Sequence, residues 1–429
     1  MQILITGPSG FIGGHLRRRL RDRGHTLVLA SRSAPTALDE DERWLPLDFA
    51  ALPPASSLAS KLEGIDVAVN AVGIFRETTR QTFDALHASG PIALFEACIA
   101  ARVRRIVQIS ALGADAEAAS RFHLSKRAAD EALLARGINA VVVQPSLVFG
   151  PDGASSRLFL MAATLPVLLL PAGGRQRVQP IHVDDLTEAL VALCERPVAF
   201  TGRAALVGAE ALSIAAYLRT LRRSLGLRAA LTLSVPAFMA AASARLVDAV
   251  AHRPFAVDAW AMLQRGNEGP VQATRALLGR SPLAPDRFIA SNEAGDLRTR
   301  AQLGWLLPVL RLSIAGVWIV TAFVSFAVYP VADSFALLER AGVPAALRPL
   351  ALYGAAALDL AFGVGSLLLR RRRWLWLAQI ALIVGYTAII TARLPEFWLH
   401  PYGPVLKNLP MLAALWLLLE FERPEEPRP

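Results

Sequence analysis

The opening run "MQILITGPSGFIGGHL" constrains the fold of this chain more than any other stretch. An apolar strand pattern leads directly into Gly7, Gly10 and Gly13, and a helical pattern follows them. A glycine turn between a strand and a helix presents free backbone N–H groups and the positive helix end to a phosphate. Glycine is needed because a side chain would hold the phosphate away from the backbone. The run therefore predicts a strand–turn–helix unit that binds a nucleotide diphosphate.

Strand and helix patterns alternate from this turn to the run "NAVVVQPSLVFGP". Such alternation predicts a protein of the α/β class with a doubly wound parallel sheet, whose ligands bind at the carboxyl ends of the strands. Small or polar residues stand at those predicted strand ends: Asp48 after "RWLPL", Asn70 and Gly73 in "VNAVG", and Ser110 after "RRIVQI". They are candidate contacts for the nucleotide.

The end of the second predicted strand distinguishes the two nicotinamide cofactors. An acidic residue there would bind the ribose 2′-hydroxyl of NAD, whereas an arginine suits the 2′-phosphate of NADP. This chain has Ser31 and Arg32 at that place. The sequence therefore favours NADP(H) over NAD(H), with a solvated loop arginine as the alternative interpretation.

Charge and cysteine content exclude several classes of function. The net charge of +10 is spread over helix faces and loops without aromatic interleaving or a DNA-binding motif, so we predict no nucleic-acid partner. Arginines beside apolar helices instead suit the anionic cytoplasmic leaflet of a membrane. Cys98 and Cys194 lie in apolar runs without paired spacing, which predicts reduced core residues and no metal site.

Several motifs follow one another in the order typical of a large enzyme family. They are "TGPSGFIGG", "NAVGIFRE", "VQISALGAD", "FHLSK", "QPSLVFGP" and "VQPIHVDDLTEAL". On these motifs the chain resembles the short-chain dehydrogenase/reductase superfamily over about residues 1–300. More narrowly, it is similar to the atypical branch that includes the nucleotide-binding accessory subunit of respiratory complex I. The resemblance implies a Rossmann fold, and its motifs are more specific for fold than for activity.

The resemblance implies roles for the stretch "FHLSK" and its surroundings. Lys126 matches the family lysine that holds the nicotinamide ribose and lowers the pKa of a partner tyrosine. Phe122 stands at that tyrosine's position and has no proton to donate. The family's active-site serine or threonine aligns best with Leu112, and Ser110 lies one alternate position earlier. His123 is a candidate substitute acid, the alternative being an ordinary surface or core histidine.

The motifs and the resemblance together predict one set of site residues. The predicted nucleotide contacts are Gly7, Ser9, Gly10, Phe11, Ile12, Gly13, Ser31, Arg32, Asp48, Asn70, Ala71, Gly73, Ser110, Lys126 and Pro145. The predicted catalytic set is Lys126, Phe122 at the tyrosine position, Ser110 and His123.

Three domains are predicted: a nucleotide-binding Rossmann domain at 1–225, a small helical lobe with a linker at 226–300, and a membrane domain at 301–429. The apolar run within 158–186 is too short and too proline-broken to cross a bilayer. It predicts a substrate-side lid or a packed helix, and the lid would imply an apolar ligand. Asp184 and Asp185 fit a helix N-cap with an acidic first turn better than a catalytic pair.

The last third of the chain carries its excess of apolar residues, which gives 54% hydrophobic residues and a mean hydropathy of +0.41. Apolar segments at 306–328, 350–369, 374–392 and 405–421 predict a four-helix transmembrane bundle, the fourth segment being marginal in length. This third resembles the DoxX-like membrane families, particularly in "HPYGPVLKNLPML". The lipid bilayer is therefore an expected partner.

The arginine loop at residues 370–373 sets the predicted orientation, because loops rich in arginine stay in the cytoplasm. The chain starts on a strand pattern without a basic leader, which predicts no cleaved signal and a cytoplasmic N-terminal domain. Four crossings then return the C-terminus to the cytoplasm. These signals predict a multi-pass protein of the cell inner membrane.

Two ionisable residues stand inside the predicted spans. Asp359 lies near the middle of the second, where a charge is costly. It predicts either a functional membrane site or a packing residue hydrogen-bonded to Tyr386 or Gln379. Arg311 lies near the cytoplasmic end of its span, where its side chain can reach the interface.

Two classes of function remain open. The first is a membrane-anchored NADP(H)-dependent oxidoreductase acting on an apolar carbonyl or quinone-like substrate. The second is a non-catalytic nucleotide-binding membrane protein, such as a sensor, an assembly factor or an accessory subunit of other membrane proteins. Phe122 and Leu112 favour the second class. A sugar-nucleotide epimerase or dehydratase ranks last because such enzymes depend on the missing tyrosine.

Overall fold

A parallel sheet of seven strands forms the centre of the first of two units, Met1–Ala301 and Gln302–Pro429, in this computed structural model. The structure describes residues 1–196, 200–251 and 256–422. The strands are β1 (Gln2–Thr6), β2 (Thr26–Ser31), β3 (Glu42–Pro46), β4 (Val67–Asn70), β5 (Arg105–Ile109), β6 (Ala140–Pro145), β7 (Val148–Phe149), β8 (Val167–Pro171), β9 (Arg177–Val178), β10 (Ile181–His182), β11 (Gly202–Leu206), β12 (Leu212–Ser213) and β13 (Leu231–Val235).

The main sheet has the order β11-β6-β5-β4-β1-β2-β3, and every neighbouring pair is parallel. This is the doubly wound order with one additional edge strand, so the switch point lies between β1 and β4. Ligands of such sheets bind at the carboxyl ends of the strands beside this point. The predicted α/β class and parallel sheet are confirmed.

The helices of the first unit lie on both faces of the sheet or beside it. They are α1 (Phe11–Asp22), α2 (Ala55–Lys61), α3 (Gly90–Ala100), α4 (Arg121–Leu134), α5 (Ala154–Thr164), α6 (Val183–Glu195), α7 (Ile214–Ser224), α8 (Ala237–Ala251), α9 (Ala256–Arg265) and α10 (Gln272–Leu278). A π-helical turn, Asp84–Ser89, runs directly into α3.

The central strands of the sheet are mostly apolar because helices cover both of its faces. Ile3 and Ile5 of β1 pack on one face with Leu16 of α1, whereas the intervening Leu4 packs on the other face with Phe95 of α3. This alternation follows from the two-residue period of a strand. The predicted core residues Cys98 and Cys194 are buried free thiols in these two layers.

A third core lies outside the main sheet, within the same unit. Phe149, Leu160, Tyr217 and Phe288 contribute to it, so residues on both sides of position 226 share one core. The predicted lobe at 226–300 accordingly lies within the unit Met1–Ala301. The apolar run expected at 158–186 forms α5 and β8.

Helix α6 shows one departure from expectation at its start. Its first turn is acidic, as predicted, but the N-cap is His182, whose Nδ1 accepts the N–H of Asp184 at 3.2 Å. Asp185 is buried, accepts the N–H of Leu283 at 2.6 Å and pairs with Arg280 at 2.7 Å. The two aspartates therefore anchor α6 and its neighbours.

The second unit consists of apolar helices. The helix α11 (Ala294–Phe323) begins in the first unit and continues into the second, where it is followed by α12 (Val331–Arg340), α13 (Arg348–Leu368), α14 (Arg373–Arg393) and α15 (Asn408–Phe421). Three helical segments, Ala294–Val328, Ala345–Leu368 and Arg373–Arg393, are long and apolar enough to cross a membrane. In an apolar stretch of 18 residues within each segment, only 22% to 28% of the residues are buried by the protein. Most of the surface of these segments therefore suits lipid.

The predicted fourth span is shorter than expected. Gly403 has φ of +52° and Pro404 follows it, which keeps the chain out of a helix until Asn408. The resulting α15 has 14 residues, below the roughly 20 needed to cross hydrocarbon alone.

The helices of this bundle approach closely at a small residue. A Cβ on Gly363 of α13 would lie 2.5 Å from Cγ1 of Ile319 on α11. Such close approach is typical of helix packing in membranes, where van der Waals contact replaces the hydrophobic effect. The small core of the bundle contains Trp318, Phe362 and Trp376.

Candidate functional site

The glycine turn between β1 and α1 has the shape of a phosphate cradle. Gly7 has φ of +69°, and a Cβ on Gly13 would lie 2.1 Å from the Gly7 carbonyl oxygen. Both positions therefore exclude other residues. Gly10 is the N-cap of α1, and no described side chain caps that helix or places an acid in its first turn. The first N–H groups of α1 thus remain for an anionic ligand, which fits a dinucleotide.

Ser9, Phe11 and Ile12 frame the turn. Ser9 is exposed, and Ile12 packs against the core beneath the sheet. The ring of Phe11 lies against Gly150 and Gly153, where an added Cβ would approach Cζ to 2.8 and 3.0 Å. Because the side chains of Phe11 and Ile12 are used in packing, these two residues offer a nucleotide their backbone groups.

The carboxyl end of β2 carries the residues predicted to select the cofactor. Arg32 is exposed and donates to the side-chain oxygen of Gln81 at 2.7 and 2.8 Å when that amide is oriented with its oxygen toward the guanidinium. The hydroxyl of Ser31 donates to a backbone carbonyl two residues on at 2.8 Å. Asp48 follows β3 and accepts a backbone N–H two residues on at 2.9 Å. Arg32 is thus accessible to a 2′-phosphate at this edge.

A buried chain of polar side chains joins three neighbouring strand ends. Thr6 of β1 donates to Asn70 of β4 at 2.6 Å, and Asn70 donates to Gln108 of β5 at 2.7 Å. The Asn70 oxygen also accepts the N–H of Val72 at 3.3 Å. The Asn70 side chain therefore fixes the backbone that carries Ala71 and the residues after it. Thr6 and Gln108 were not predicted by the sequence.

Lys126 is buried between the ends of β4 and β5. Its ammonium donates to the carbonyl oxygens of Val72 and Ile109, both at 3.1 Å. A Cβ on Gly73 would lie 3.3 Å from Nζ. An ammonium has three N–H groups, so these two carbonyls leave one for a ligand beside Gly73. Burial lowers the pKa of Lys126 to about 8, partly opposed by the charge of Asp130, and the side chain stays protonated at pH 7.

Ser110 is engaged with a buried carboxyl group. Its hydroxyl donates to Asp130, which lies one helical turn after Lys126 on α4 and is fully buried. Burial raises the pKa of Asp130 to about 6, although the Ser110 hydrogen bond and the Lys126 charge act in the opposite direction. Ser110 thus supports α4 against β5. Ser110 and Asp130 are 20 positions apart, so no local sequence pattern indicates this contact.

Phe122 lies in a cluster of aromatic rings. Phe75 stacks on it at 5.1 Å between ring centroids, and Phe83, His87 and His123 contact it edge-on at 6.1, 5.3 and 5.5 Å. Phe122 is buried, whereas Phe75 is 56% exposed. The position occupied by tyrosine in the family is therefore an apolar surface beneath Phe75.

His87 organises the backbone around this cluster. Its Nε2 accepts the N–H of Ile74 at 2.9 Å, so its Nδ1 carries the proton and donates to the Ser125 hydroxyl at 3.0 Å. Ser125 in turn donates to the carbonyl of Phe122 at 2.8 Å. Burial and the charge of Lys126 lower the pKa of His87 to about 2, which keeps it neutral. The network links the loop after β4 to α4.

His123 packs against the loop after β5, which contains Leu112. The His123 ring packs against Gly113, and burial, followed by the charge of Arg265, lowers the pKa of His123 to about 4. It is neutral at pH 7 and is a buried histidine. Leu112 donates its N–H to the carbonyl of Pro145 at 3.0 Å, which joins the loop after β5 to the end of β6.

The membrane unit contains a second buried polar group. Trp318 donates to Gln379 at 2.8 Å, and Gln379 donates to Ser366 at 3.0 Å. The predicted partner Gln379 is therefore used elsewhere, and Oδ1 of the buried Asp359 has no hydrogen-bond partner within the described residues. In the part of the chain that the structure describes, no group of three or more His, Cys, Asp or Glu side chains could hold a metal ion.

Comparison with known proteins places both halves of the chain. Residues 3–208 match the NAD dependent epimerase/dehydratase family, and residues 315–416 match the DoxX-like family. A ceramide reductase of Caulobacter vibrioides is 32% identical over 197 residues, which are 46% of this chain and 62% of that protein. The mitochondrial NADH dehydrogenase (ubiquinone) 1 alpha subcomplex subunit 9 of Arabidopsis thaliana is 27% identical over 199 residues, 44% of this chain and 48% of that protein.

The chain spans less than two thirds of the length of each of these relatives. A solved structure of UDP-glucuronic acid 4-epimerase from Bacillus cereus in complex with NAD has a TM-score of 0.53 and 18% identity, covering 70% of this chain and 100% of that one. Identity this low bears on the fold alone. The two family matches make residues 3–208 an epimerase/dehydratase-like Rossmann domain of the short-chain dehydrogenase/reductase type and residues 315–416 a DoxX-like domain.

Proposed function

We propose that this protein is a membrane-anchored, NADP(H)-dependent reductase of an apolar carbonyl or quinone-like compound. The observation that carries the proposal is Lys126, a buried ammonium held by Val72 and Ile109 with one N–H left beside Gly73. Burying an ammonium group costs free energy, and the packing of a core does not require one. Its place at the carboxyl ends of β4 and β5 is where the nicotinamide end of a dinucleotide would lie.

The preference for NADP(H) rests on the end of β2. Arg32 is exposed there, and its partner Gln81 is neutral, so the guanidinium keeps its charge for a phosphate. Replacing Arg32 by Ala should raise the KM for NADPH and leave that for NADH nearly unchanged. Arg43→Ala, at an exposed position of β3, is the matched control.

Lys126 is the residue that we assign as the proton donor of the reaction. When bound, a reduced nicotinamide supplies a hydride to the carbonyl carbon, and the oxygen then needs a proton. Phe122 has none to give, and the lowered pKa of His123, about 4, leaves it neutral at pH 7. Lys126 is protonated at that pH because its pKa is about 8. We assign to its free N–H the orientation of the substrate oxygen and the delivery of the proton, which water restores.

An apolar substrate is supported by the surface around position 122. Phe75 and Phe122 present stacked rings where a tyrosine hydroxyl would otherwise stand. The sequence relative named a ceramide reductase acts, by that name, on a lipid. A reductase joined to a membrane unit would remain near substrates dissolved in the bilayer.

The second candidate is a nucleotide-binding protein without turnover. It is favoured by the two positions at which the family keeps hydroxyl groups, since Phe122 and Leu112 carry none. Loss of a general acid typically lowers a rate by about 10² to 10⁴. This candidate predicts NADPH binding with no oxidation of the cofactor by any acceptor.

The proposed topology has four crossings, with the N-terminal unit and the C-terminus in the cytoplasm of the inner membrane. Contacts within the membrane unit support it despite the shortness of α15. Asn408 at its start donates to Thr387 at 2.8 Å, whereas Glu422 after its end accepts from Arg311 and Arg372, both at 2.9 Å. Arg372 belongs to the arginine loop between the second and third spans. The helix α15 therefore returns the chain to the end of the bundle that carries this loop.

The proposal is tested on the full chain in detergent micelles. NADPH absorbance is followed with a panel of long-chain ketones and a short-chain quinone, after NADPH binding has been confirmed by calorimetry. We expect cofactor oxidation with at least one apolar acceptor and faster turnover with NADPH than with NADH. Tight NADPH binding with no oxidation by any acceptor would reject the reductase and favour the second candidate.

A further inference from the structure

The outer face of the two-stranded sheet β8–β13 is apolar and exposed. Leu231 and Leu233 of β13 are 72% and 55% exposed, and Leu169 of β8 is 54% exposed. Leu233 pairs with Leu169 in the parallel register, so these side chains stand on the same face. The alternate residues Leu168 and Leu170 point inward and are buried. The sheet thus has leucine on both faces, and only the inner face has a protein partner among the described residues.

Helix α8, which follows β13 directly, also exposes its large apolar residues. Its small residues Ala240 and Ala244 face the protein and are buried. Its large residues face outward: Phe238 is 73% exposed and Leu246 is 66% exposed. A helix on a water-facing protein buries its large apolar residues and exposes its polar ones. We name residues 231–247 the apolar ledge.

The architecture of the chain indicates that a lipid bilayer covers the apolar ledge. The first unit ends at Ala301, inside α11, and this helix continues as the first membrane-length segment. The ledge therefore belongs to a unit tethered at a membrane surface by its last helix. Exposed contiguous apolar surface on such a unit is typical of a membrane contact.

Charge at the ledge agrees with this occupant. Arg245 of α8 is exposed between the outward-facing residues. Arg175 is also exposed. It lies near β13, because a Cβ built on Gly173 would be 3.7 Å from Nε of Arg175 and 3.6 Å from the hydroxyl of Ser234. Arginines beside an apolar surface suit the phosphates of an anionic lipid leaflet.

The ledge is connected to the candidate site through α9. Asp248 of α8 accepts the N–H groups of Ala256 and Val257 at 2.8 and 2.9 Å. At the other end of α9, Arg265 donates to the carbonyl of Gly113 at 2.8 Å and pairs with Asp115 at 2.6 Å. Gly113 carries the loop against which His123 packs.

We propose that the apolar ledge inserts into the headgroup region of the membrane as a second, peripheral anchor of the first unit. It holds α9, and through it the mouth of the candidate site, at the depth where an amphipathic lipid presents its polar end. The insertion itself requires neither NADPH nor turnover, so it stands or falls independently of the reductase.

The test measures the depth of single labels in the full chain. The native thiols Cys98 and Cys194 are buried, so a fluorescent bimane can be attached to Leu233→Cys or Phe238→Cys. The matched control is Ile99→Cys on α3, an apolar residue that is 38% exposed. Each labelled protein is placed in nanodiscs of anionic lipid with or without lipids that carry a spin label near the headgroup. NADPH affinity verifies the fold of each variant.

We expect spin-labelled lipid to quench the labels at 233 and 238 and to leave the label at 99 unquenched. Iodide in the buffer should quench the first two less in nanodiscs than the third. Labels at 233 and 238 that stay open to iodide and unquenched by lipid would overturn the proposal. Protection from iodide without lipid quenching would also overturn it, because a protein surface, such as a second copy, would then cover the ledge.

Discussion

The glycine turn and the wall, which is the aromatic cluster of Phe122 with Phe75, Phe83, His87 and His123, lie along the same edge of one sheet but differ in which features of the family they retain. At the turn, Gly7, Gly10 and Gly13 keep every feature that a phosphate needs: a positive φ, a close approach and an uncapped helix. At the wall, Phe122 lacks the hydroxyl of the family's tyrosine, and its ring packs beneath Phe75. Nucleotide binding and proton donation therefore depend on separate residues. Proton donation can be lost while nucleotide binding is kept.

Lys126 is the residue that joins the two regions. It is placed by backbone carbonyls after β4 and at the end of β5, and its charge acts on His87. Substitutions in each region in turn show whether NADPH binding or turnover depends on it.

The largest effect is expected at the turn. A valine at Gly13 would place Cβ 2.1 Å from the Gly7 carbonyl oxygen, so the turn must move. We expect the affinity for NADPH to fall on the order of 10³-fold, or about 4 kcal/mol, by calorimetry on the full chain. Gly14→Ala is the control, since its Cβ would lie 3.5 Å from the Pro8 carbonyl oxygen, an ordinary contact. Equal binding by both variants would contradict the cradle.

Lys126→Met should affect turnover more than binding. The ammonium is replaced by an apolar chain of similar length, so the substrate oxygen loses its donor. We expect kcat/KM for a ketone to fall roughly 10²-fold, in the range of a lost general acid, with a smaller loss of NADPH affinity. Arg127→Met, the next residue on α4, is the control. Unchanged turnover in Lys126→Met would remove Lys126 from the reaction.

The variant Phe122→Tyr restores the hydroxyl that the wall lacks. The new hydroxyl would stand one helical turn before Lys126, so we expect kcat to rise about tenfold, less than a full general acid supplies because Phe75 covers the ring. Phe83→Tyr, in the same aromatic cluster, should have no such effect. A fall in kcat with both variants would indicate that position 122 only packs.

The smallest effect concerns Asp130 and stability. Its pKa is about 6 in the folded chain against an ordinary 3.8, so between these values the folded state binds more protons than the unfolded state. Stability from this group is complete below about pH 4 and is lost as the pH rises through about 6. We expect the melting temperature to fall a few degrees over that interval. Asp130→Asn should flatten this slope, and an unchanged slope would assign it to another group.

The two regions also differ in how far the sequence predicted them. The cradle was predictable because its residues are adjacent in the chain and glycine has few other reasons to recur at that spacing. The wall was not, because its contacts are long-range. His87 and Ser125 are 38 positions apart, and the π-helical turn that presents His87 has no distinct sequence pattern.

Two further differences have identifiable causes. Ser110 appeared as a free hydroxyl at a strand end, but its partner Asp130 becomes visible only when α4 packs against β5. The apolar ledge lies where the sequence predicted only a small helical lobe, and its exposed face became visible only when the structure showed which residues of α8 are buried. In each case the residue type was visible in the sequence, and the direction of the side chain was set by tertiary packing.

The central claim is that a nucleotide held by this chain delivers hydride to an apolar acceptor. It is tested most directly with NADPH deuterated at the transferring position of the nicotinamide, the full chain in nanodiscs and a long-chain ketone. Mass spectrometry should find deuterium at the carbinol carbon of the product alcohol with the wild-type chain, and none with Gly13→Val. NADPH that binds tightly while every acceptor remains free of deuterium would contradict the claim.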